Sequence, residues 1–488
     1  MKKTVSIIVI ATMIVGLFAF TACTPGDVET PLTTYDIKAT LDVDGMTVTA
    51  EESVNYVNET DSELSSVYFH LYPSAFREGA KYAPVADSHV SDTYPIGVDY
   101  GGITVSTVAV NGESCEWSIG GEDQDVLMVN GLTLLPGDSV DIDMAFTLDL
   151  PLARHRFGYH NGIVNLGNWY PVACMYEDGA FRTDPYYSSG DPFYSGLADY
   201  TVSLTAPTGW NVAGTGSVST SINGDQTTTT FTASGVRDFA MTASDKYTCL
   251  EEQTEKGVTV RYYYAQDQNA EAHLKTCVDA VNTFSELFGD YAYDSLSVAL
   301  TPFLYGGMEY PQMVFVSNGL TGDLLEEAII HEIAHQWWYA GVGNDQINDA
   351  WMDEGLAEYS TTLFYENNPD YGVDAKDRIA DAMQSYVLFT EAYEEHIGGD
   401  TSMNRRLCDY FSQTDYSFHT YVKGSLLFDS VRHTVGDEEF FSALKTYYKT
   451  YCGKIASDEE LIACFENVCD MSLKSFFESW INGTVGLY

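Results

Sequence analysis

The sequence predicts an α+β chain of two folded domains, the first all-β and the second mostly helical. Residues 35–246 contain short runs in which apolar and polar residues alternate, with Gly, Pro and Asn between the runs. That alternation is typical of strands in an antiparallel sheet. From residue 247 onward the spacing of apolar residues becomes mainly helical. We therefore expect an N-terminal β domain at 35–246 and a second domain at 247–488.

The elements of the first domain follow from this pattern in order. Alternation over residues 35–43 ends at Asp44-Gly45, a hairpin turn signal, and an apolar run over 67–72 ends at Pro73. Residues 154–199 are rich in Tyr, Gly and Asp with weak periodicity, and we expect long ordered loops there. Further strands are predicted at 103–110, 126–129, 140–150, 200–204 and 227–232.

The second domain is predicted to open with a strand at residues 258–264. A helix follows over residues 270–288, where apolar residues recur at helical spacing. Two more strands are expected at 297–300 and 313–316. The remainder of the chain is predicted to be mostly helical.

The N-terminus carries a predicted export signal. Lys2 and Lys3 precede an apolar run over residues 5–20, which is short for a membrane span, and small residues stand before Cys23. Residues 1–22 resemble a bacterial lipoprotein signal peptide, in which Cys23 becomes the lipidated first residue. An uncleaved anchor helix is the alternative. We expect residues 23–34 to be a tether that holds the folded part at the extracytoplasmic face of the cell membrane.

The charge balance excludes one class of partner. The chain has 23 Lys and Arg against 71 Asp and Glu, a net charge of −48. Nucleic acid binding needs a cationic surface, so we expect no nucleic-acid partner. With 45% hydrophobic and 14% aromatic residues, the chain can build sizeable cores and is not a disordered acidic tail.

A metal-binding motif lies in the second domain. Residues 331–335 read H-E-x-x-H, and helical spacing puts His331 and His335 on one face as two nitrogen ligands. Glu332 lies beside them, where it can take a proton from the attacking water. A second helix packed against the first would bring Glu354 to the same metal. Two His and one Glu form an open catalytic zinc site rather than a closed structural one.

Other residues near this motif are candidates for supporting roles. Asp353 and Glu358 could orient the ligand histidines, and solvated helix charges are the alternative reading of both. Upstream, a Gly-Gly pair at 306–307 lets a substrate backbone approach closely, and Glu309 adds a carboxylate. Downstream, the phenol of Tyr421 could donate a hydrogen bond to an oxyanion at the attacked carbonyl.

Three motifs together resemble a known family. They are G-x-M-E at 306–309, H-E-x-x-H-x18-E at 331–354 and Y-x-K-G at 421–424. In this order they resemble the aminopeptidase N family of gluzincin zinc metallopeptidases, which includes leukotriene hydrolase. The resemblance implies a saddle-shaped β domain and a thermolysin-like catalytic domain. It also implies one zinc ion per chain, with peptides as substrates, and the ligands would be His331, His335 and Glu354.

The same resemblance implies roles for the other motif residues. Glu332 would be the general base and then carry the proton to the leaving amine, and Tyr421 would stabilise the tetrahedral intermediate. Glu309 would hold the free α-amino group, which makes such enzymes exopeptidases. The residues that would line the substrate backbone are Gly306, Gly307 and Met308.

The sequence also departs from the family pattern. Tyr310 and Pro311 follow Glu309 where the family usually has Asn. The family has a second amine anchor in the β domain, for which Glu177 is the one candidate. The chain ends at Tyr488, which leaves room for the catalytic domain but not for the large C-terminal helical domain of many relatives. We therefore expect a more open cleft.

The sequence thus predicts a membrane-tethered zinc aminopeptidase that releases N-terminal residues from peptides outside the cytoplasm. Two alternatives stay open. One is an endopeptidase or oligopeptidase that uses the same zinc chemistry in an open cleft. The other is a non-catalytic lipoprotein that binds peptides.

Overall fold

The structure, a computed structural model, describes residues 31–393, 398 and 400–485. The predicted signal peptide and Cys23 lie outside these residues. The first strand is Thr33–Asp42. It includes residues 33 and 34, the last two residues of the predicted tether. Among the helices that the structure describes, none is long and apolar enough to cross a membrane.

An eight-stranded sheet forms the body of the N-terminal domain. The predicted hairpin is present, since Thr33–Asp42 pairs antiparallel with Thr47–Val57 around the Asp44-Gly45 turn. One pair differs from the antiparallel expectation, because Thr33–Asp42 runs parallel to Ala198–Pro207. In order across the sheet the strands are Ser217–Asn223, Gln226–Val236, Ala198–Pro207, Thr33–Asp42, Thr47–Val57, Ser139–Asp149, Gly102–Val110 and Glu113–Ser114.

Smaller sheets complete this domain. The segment 154–199 contains short strands as well as the expected loops, and Ile163–Leu166 is buried along its whole length. A strand buried on both faces is uniformly apolar, so it lacks the alternation that marks half-buried strands. One four-stranded sheet contains Asn211–Gly214, Met241–Ser244, Ile163–Leu166 and Phe157–His160, a second contains Val172–Ala173, Leu64–His70, Val126–Leu134 and Glu116–Gly120, and a two-stranded sheet pairs Tyr176–Glu177 with Ala180–Phe181.

The second domain joins a five-stranded sheet to a set of helices, which confirms the predicted fold class. The sheet contains, in order, Thr248–Gln253, Thr259–Tyr264, Ser295–Thr301, Met313–Ser317 and Gly307–Met308. Its α-helices are Ala270–Leu287, Asp323–Ala334, Trp351–Asn367, Ala375–Ala392, Gln413–Ser417, Lys423–Val435, Asp437–Tyr451, Asp458–Cys469 and Lys474–Ile481. A short helix, Val90–Thr93, lies in the β domain, and a π-helix spans Phe418–Val422.

Two helices and one edge strand bring the motif residues together. We call Asp323–Ala334 the HExxH helix and Trp351–Asn367 the Glu354 helix. The Glu354 helix contacts Lys423–Val435 at two glycines, since a Cβ on Gly424 would stand 2.7 Å from the Cα of Gly355. This close approach brings the π-helix beside the Glu354 helix. The edge strand Gly307–Met308 pairs with Met313–Ser317 and has its other edge free among the described strands.

Candidate active site

The HExxH helix places two imidazoles side by side. Its buried residues include Ile329, Ile330 and Ile333, so packing against the core fixes the rotation of the helix. The Nε2 atoms of His331 and His335 lie 3.1 Å apart, and both side chains are buried. The sequence predicted that these two residues share a face, and the structure places them so.

The Glu354 helix adds a carboxylate to the pair. Oε2 of Glu354 lies 3.3 Å from Nε2 of His331 and 3.1 Å from Nε2 of His335. Burial favours the neutral form of Glu354, but the two histidines oppose it and lower its pKa to about 2. The ligand atoms of the three residues all lie within 4.8 Å of one another.

This donor set fits zinc. Two imidazole nitrogens and one carboxylate oxygen are the ligands of catalytic zinc sites that keep a further position open for water or substrate. The group is buried but borders a cavity that reaches the surface, as a substrate-accessible site requires. The His331, His335 and Glu354 group is therefore a zinc-binding group.

Each ligand histidine is oriented through its second ring nitrogen. Nδ1 of His335 donates to the carbonyl oxygen of Trp338 at 2.9 Å. Nδ1 of His331 lies 3.3 Å from Oε2 of Glu358, and Arg378 donates to the other oxygen of Glu358 at 2.8 Å. Such partners fix the tautomer and the ring plane of a metal-ligating histidine.

Asp353 has a different position from Glu358. It accepts hydrogen bonds from Asn344 at 2.9 Å and from Gln346 at 2.7 Å. The sequence offered Asp353 and Glu358 equally as histidine partners, and in the structure only Glu358 contacts a ligand histidine. Burial raises the pKa of Asp353 to about 7.

Glu332 lies at the edge of the zinc-binding group in a poorly solvated position. Its side chain is buried, and Oε2 has no hydrogen-bond partner in the described part of the chain. Burial raises the pKa of Glu332 to about 7. A carboxylate with a pKa near neutrality can both accept and return a proton, as a general base must.

Glu309 directly follows the edge strand Gly307–Met308 and lies next to the zinc-binding group. It is buried, and Oε1 accepts a hydrogen bond from Nε2 of Gln346 at 2.8 Å. Together with Glu332 and His335 it forms a second group whose ligand atoms lie within 4.8 Å of one another. Burial and the charge of Asp191 raise the pKa of Glu309 well above its usual range.

Asp191 is a site residue that the sequence analysis missed. It lies in a loop of the β domain and accepts a hydrogen bond from Arg156 at 2.7 Å, and both line the cavity beside Glu332. Glu177, the candidate from the sequence, contacts Arg182 and Tyr194 instead and does not line that cavity. Asp191 stands in a Gly-Asp-Pro turn of a segment without periodicity, so no local signal marked it.

Tyr310 and Met308 contact the β domain. The hydroxyl of Tyr310 donates to Asn168 at 2.7 Å, and the side chain is fully buried. Met308 is also buried, with Sδ 3.0 Å from Nη1 of Arg156. Tyr310, which stands where the family usually has Asn, thus forms a hydrogen bond that fixes the end of the edge strand to the first domain.

Tyr421 reaches the site from the π-helix. Its hydroxyl donates to Oε1 of Glu354 at 2.5 Å, and its ring stacks on His331 at a centroid distance of 5.5 Å. Burial and the charge of Glu354 raise the pKa of Tyr421 well above its usual range, so the phenol stays protonated. A protonated phenol beside the zinc-binding group is a hydrogen-bond donor for an oxyanion.

A cavity of about 310 Å³ borders the zinc-binding group at His331. Its polar wall includes Asp191, Glu332 and Tyr421, and its apolar wall includes Leu320 and Leu324. Gly306 and Gly307 form one rim, and a Cβ on Gly306 would meet no atom within 4 Å. The backbone of Gly306 is therefore open to the cavity.

Comparison with known proteins gives a consistent result. Residues 272–480 match the family model described as "Peptidase family M1 domain". Human aminopeptidase B is 28% identical over 222 residues, which is 41% of this chain and 33% of that protein. Aminopeptidase N of Streptomyces lividans is 24% identical over 250 residues, 47% of this chain and 28% of that protein. The chain thus spans about a third of the length of these curated relatives.

Solved structures share the fold over nearly the whole chain. An M1 zinc metallopeptidase from Deinococcus radiodurans superposes with a TM-score of 0.67 at 19% identity, covering 93% of this chain and 95% of that one. A mutant of the Deinococcus radiodurans M1 zinc metallopeptidase bound to a Tyr-Ser-Ala substrate also superposes with a TM-score of 0.67, at 18% identity and the same coverage. At this identity the likeness concerns the fold, and it agrees with the two-domain arrangement described above.

Proposed function

Because residues 272–480 match the family model of the peptidase family M1 domain, we propose that the protein is a zinc-dependent aminopeptidase that removes N-terminal residues from peptides. One observation carries the choice of aminopeptidase over endopeptidase. Glu309 is a buried carboxylate that has an amide partner in Gln346 and no Lys or Arg partner among the described residues. A buried carboxylate of this kind is stabilised by a ligand cation.

The α-ammonium group of a peptide is the cation that fits. Burial and the charge of Asp191 both raise the pKa of Glu309, and the second cause means that the two carboxyl groups repel each other when both are ionised. An ammonium group bound beside them relieves that repulsion and is held by charge-assisted hydrogen bonds. Because the amine is then held beside the catalytic centre, the first peptide bond is the one presented for cleavage.

The residues around the centre have distinct tasks in peptide hydrolysis. When bound, zinc supplies Lewis acidity that polarises the scissile carbonyl. Glu332 accepts the proton of the attacking water and delivers it to the nitrogen of the leaving amine. Tyr421 donates a hydrogen bond to the oxygen of the attacked carbonyl as negative charge develops there. Gly306 and Gly307 leave room for the peptide backbone along the rim.

A single substrate comparison tests this proposal. The full chain, purified in detergent with zinc, is given one peptide in a free and an N-acetylated form, and products are identified by mass. Stepwise loss of residues from the free form alone supports the aminopeptidase proposal. Internal cleavage of both forms supports an endopeptidase instead. No cleavage by a zinc-loaded sample supports a peptide-binding protein.

Glu309→Gln sharpens the comparison. The substitution removes the charge but keeps the size and the contact with Gln346, so we expect a large loss of activity on the free peptide without loss of zinc. Glu177→Gln is the matched control, because Glu177 contacts Arg182 and Tyr194, whereas Glu309 groups with Glu332 and His335. Equal losses in both variants would contradict a specific role for Glu309.

We also propose that the protein is lipid-anchored at Cys23 and acts on the extracytoplasmic side of the cell membrane. The support is the charged and apolar N-terminal pattern before Cys23. Cys23→Ala should abolish incorporation of a labelled fatty acid in the producing bacterium. Retention of the label in this variant would contradict the proposal.

A further inference from the structure

The turn that carries Tyr421 has an unusual backbone. Phe418–Val422 is a π-helix between the α-helices Gln413–Ser417 and Lys423–Val435. π-Helical turns are rare, and they occur mostly as single turns at functional sites. A turn of this kind persists when the surrounding contacts stabilise it.

A buried ion network lies at the start of this turn. The carboxylate of Asp415 is fully buried and accepts two hydrogen bonds from Arg405, at 3.0 and 3.1 Å. It also accepts the backbone N–H of Phe411 at 3.0 Å. Burial favours the neutral form, but the contacts with His419 and Arg405 outweigh it and lower the pKa of Asp415. Asp415 is thus a fixed anion.

His419 connects this anion to the π-helix. Nδ1 lies 2.9 Å from the carboxylate of Asp415 and 3.0 Å from its carbonyl oxygen. The imidazole is fully buried, and its ring contacts Tyr386 and Phe389 edge to face. Nε2 has no hydrogen-bond partner within the described ranges, so Asp415 supplies the polar contacts that hold the ring.

The other end of the turn is held by hydrogen bonds of Lys423. Lys423 is fully buried, and its Nζ donates to the carbonyl oxygen of Trp480 at 2.8 Å and to that of Thr401. Tyr421 therefore lies between two anchored positions, His419 and Lys423. Its own contacts are with Glu354, His331 and the ring of Tyr416.

We propose that Arg405, Asp415 and His419 form a positioning network that holds the π-helix and thereby sets the place of the Tyr421 hydroxyl above Glu354. This inference rests on the proposed function, in which Tyr421 stabilises the developing oxyanion. The three residues act through Tyr421 and do not contact substrate. A displacement of about 1 Å in such a donor can lower the rate on the order of 100-fold.

A double-mutant cycle on the zinc-loaded full chain tests the network. His419→Leu removes the contact with Asp415, and we expect kcat to fall by about 10- to 100-fold with little change in KM. His419→Asn keeps an N–H donor near the position of Nδ1, and we expect it to retain most of the activity. In the Tyr421→Phe background, His419→Leu should lower kcat by less than about 2-fold, because coupled residues are not additive.

Two results would overturn the proposal. One is an equal loss from His419→Leu with and without the Tyr421 hydroxyl, since a general effect on folding would be additive. The other is a crystal structure of His419→Leu in which the π-helix and the Tyr421–Glu354 contact are unchanged. That structure tests the positioning network even if the wild-type protein cleaves no peptide. Failure of this inference can therefore be distinguished from failure of the proposed function. If His419→Leu does not fold, Asp415→Asn takes its place in both measurements.

Discussion

Gly307 lies so close to Glu332 that a Cβ at position 307 would stand 2.4 Å from Cγ of Glu332. The edge strand and the HExxH helix therefore touch at the residue that we propose as general base. Only a glycine permits this approach, because real Cβ atoms do not come that close to other atoms. The contact fixes the distance between the edge strand and the side chain of Glu332.

Gly307→Ala should accordingly impair catalysis. The added methyl group displaces Glu332 or the edge strand, and we expect kcat/KM to fall on the order of 100-fold. Zinc content should stay at one ion per chain, because the three ligands are untouched. Gly319→Ala is the matched control, since its nearest neighbouring atom lies at 3.5 Å. Normal activity in Gly307→Ala would show that the strand and Glu332 need not lie so close.

Glu332→Gln isolates proton transfer from metal binding. The amide keeps the shape of the side chain but cannot accept a proton, so we expect kcat to fall by about 10² to 10⁴-fold while zinc is retained. Steady-state kinetics and metal analysis on the same sample check both parts. Glu326→Gln makes the same chemical change on the same helix and should behave as wild type. A near-normal rate in Glu332→Gln would eliminate the general-base role.

Glu358→Ala tests the support of His331. Loss of this carboxylate leaves Nδ1 of His331 without its partner, and substitutions of this kind typically weaken metal affinity by about 10- to 100-fold. Competition with a chelator of known affinity measures the change. Glu366→Ala is the control on the same helix, because Glu366 pairs with Arg432 instead. Unchanged zinc affinity would mean that other contacts suffice to orient His331.

Asp191→Asn tests the contribution of the β domain to amine binding. A hydrogen bond to a charged group contributes about 1.5–3 kcal/mol, so kcat/KM on free peptides should fall by about 10- to 100-fold. Asp184→Asn is the control, because Asp184 pairs with Arg182 and Arg406 and does not line the cavity. Comparable losses in the two variants would assign Asp191 a role in folding only.

The sequence predicted the zinc ligands correctly, but it did not predict all of the residues that line the cavity or orient those ligands. The zinc-binding group could be predicted because His331 and His335 are one helical turn apart, and a local period determines their geometry. The change from strands to helices near residue 247 followed from periodicity for the same reason, whereas the uniformly buried strand Ile163–Leu166 was missed. Asp191 could not be predicted, because it reaches the cavity only through the packing of a loop against the second domain. Spacing alone also could not show that Glu358, and not Asp353, contacts a ligand histidine, because this depends on the rotation of the Glu354 helix.

Asp238 provides a test of stability against pH that is separate from the zinc site. Its carboxyl group is buried between the domains and accepts a hydrogen bond from Tyr339 at 2.7 Å. Burial raises its pKa from 3.8 to about 7. The folded state therefore binds the proton more tightly than the unfolded state does. The stabilisation is fully present below about pH 4 and is lost as the pH rises to about 7.

Asp238→Asn should remove this dependence, because the amide does not titrate and can still accept from Tyr339. The free energy of unfolding is measured with denaturant at saturating zinc. Between about pH 5 and 7 it should fall in wild type relative to the variant. Above about pH 7.5 the two curves should be parallel. Asp245→Asn, a change at an exposed carboxylate, is expected to follow wild type throughout. Parallel curves for wild type and Asp238→Asn across the whole range would show that Asp238 titrates alike in the folded and unfolded chain. The charge of Asp238 would then have no effect on the stability of the contact between the two domains.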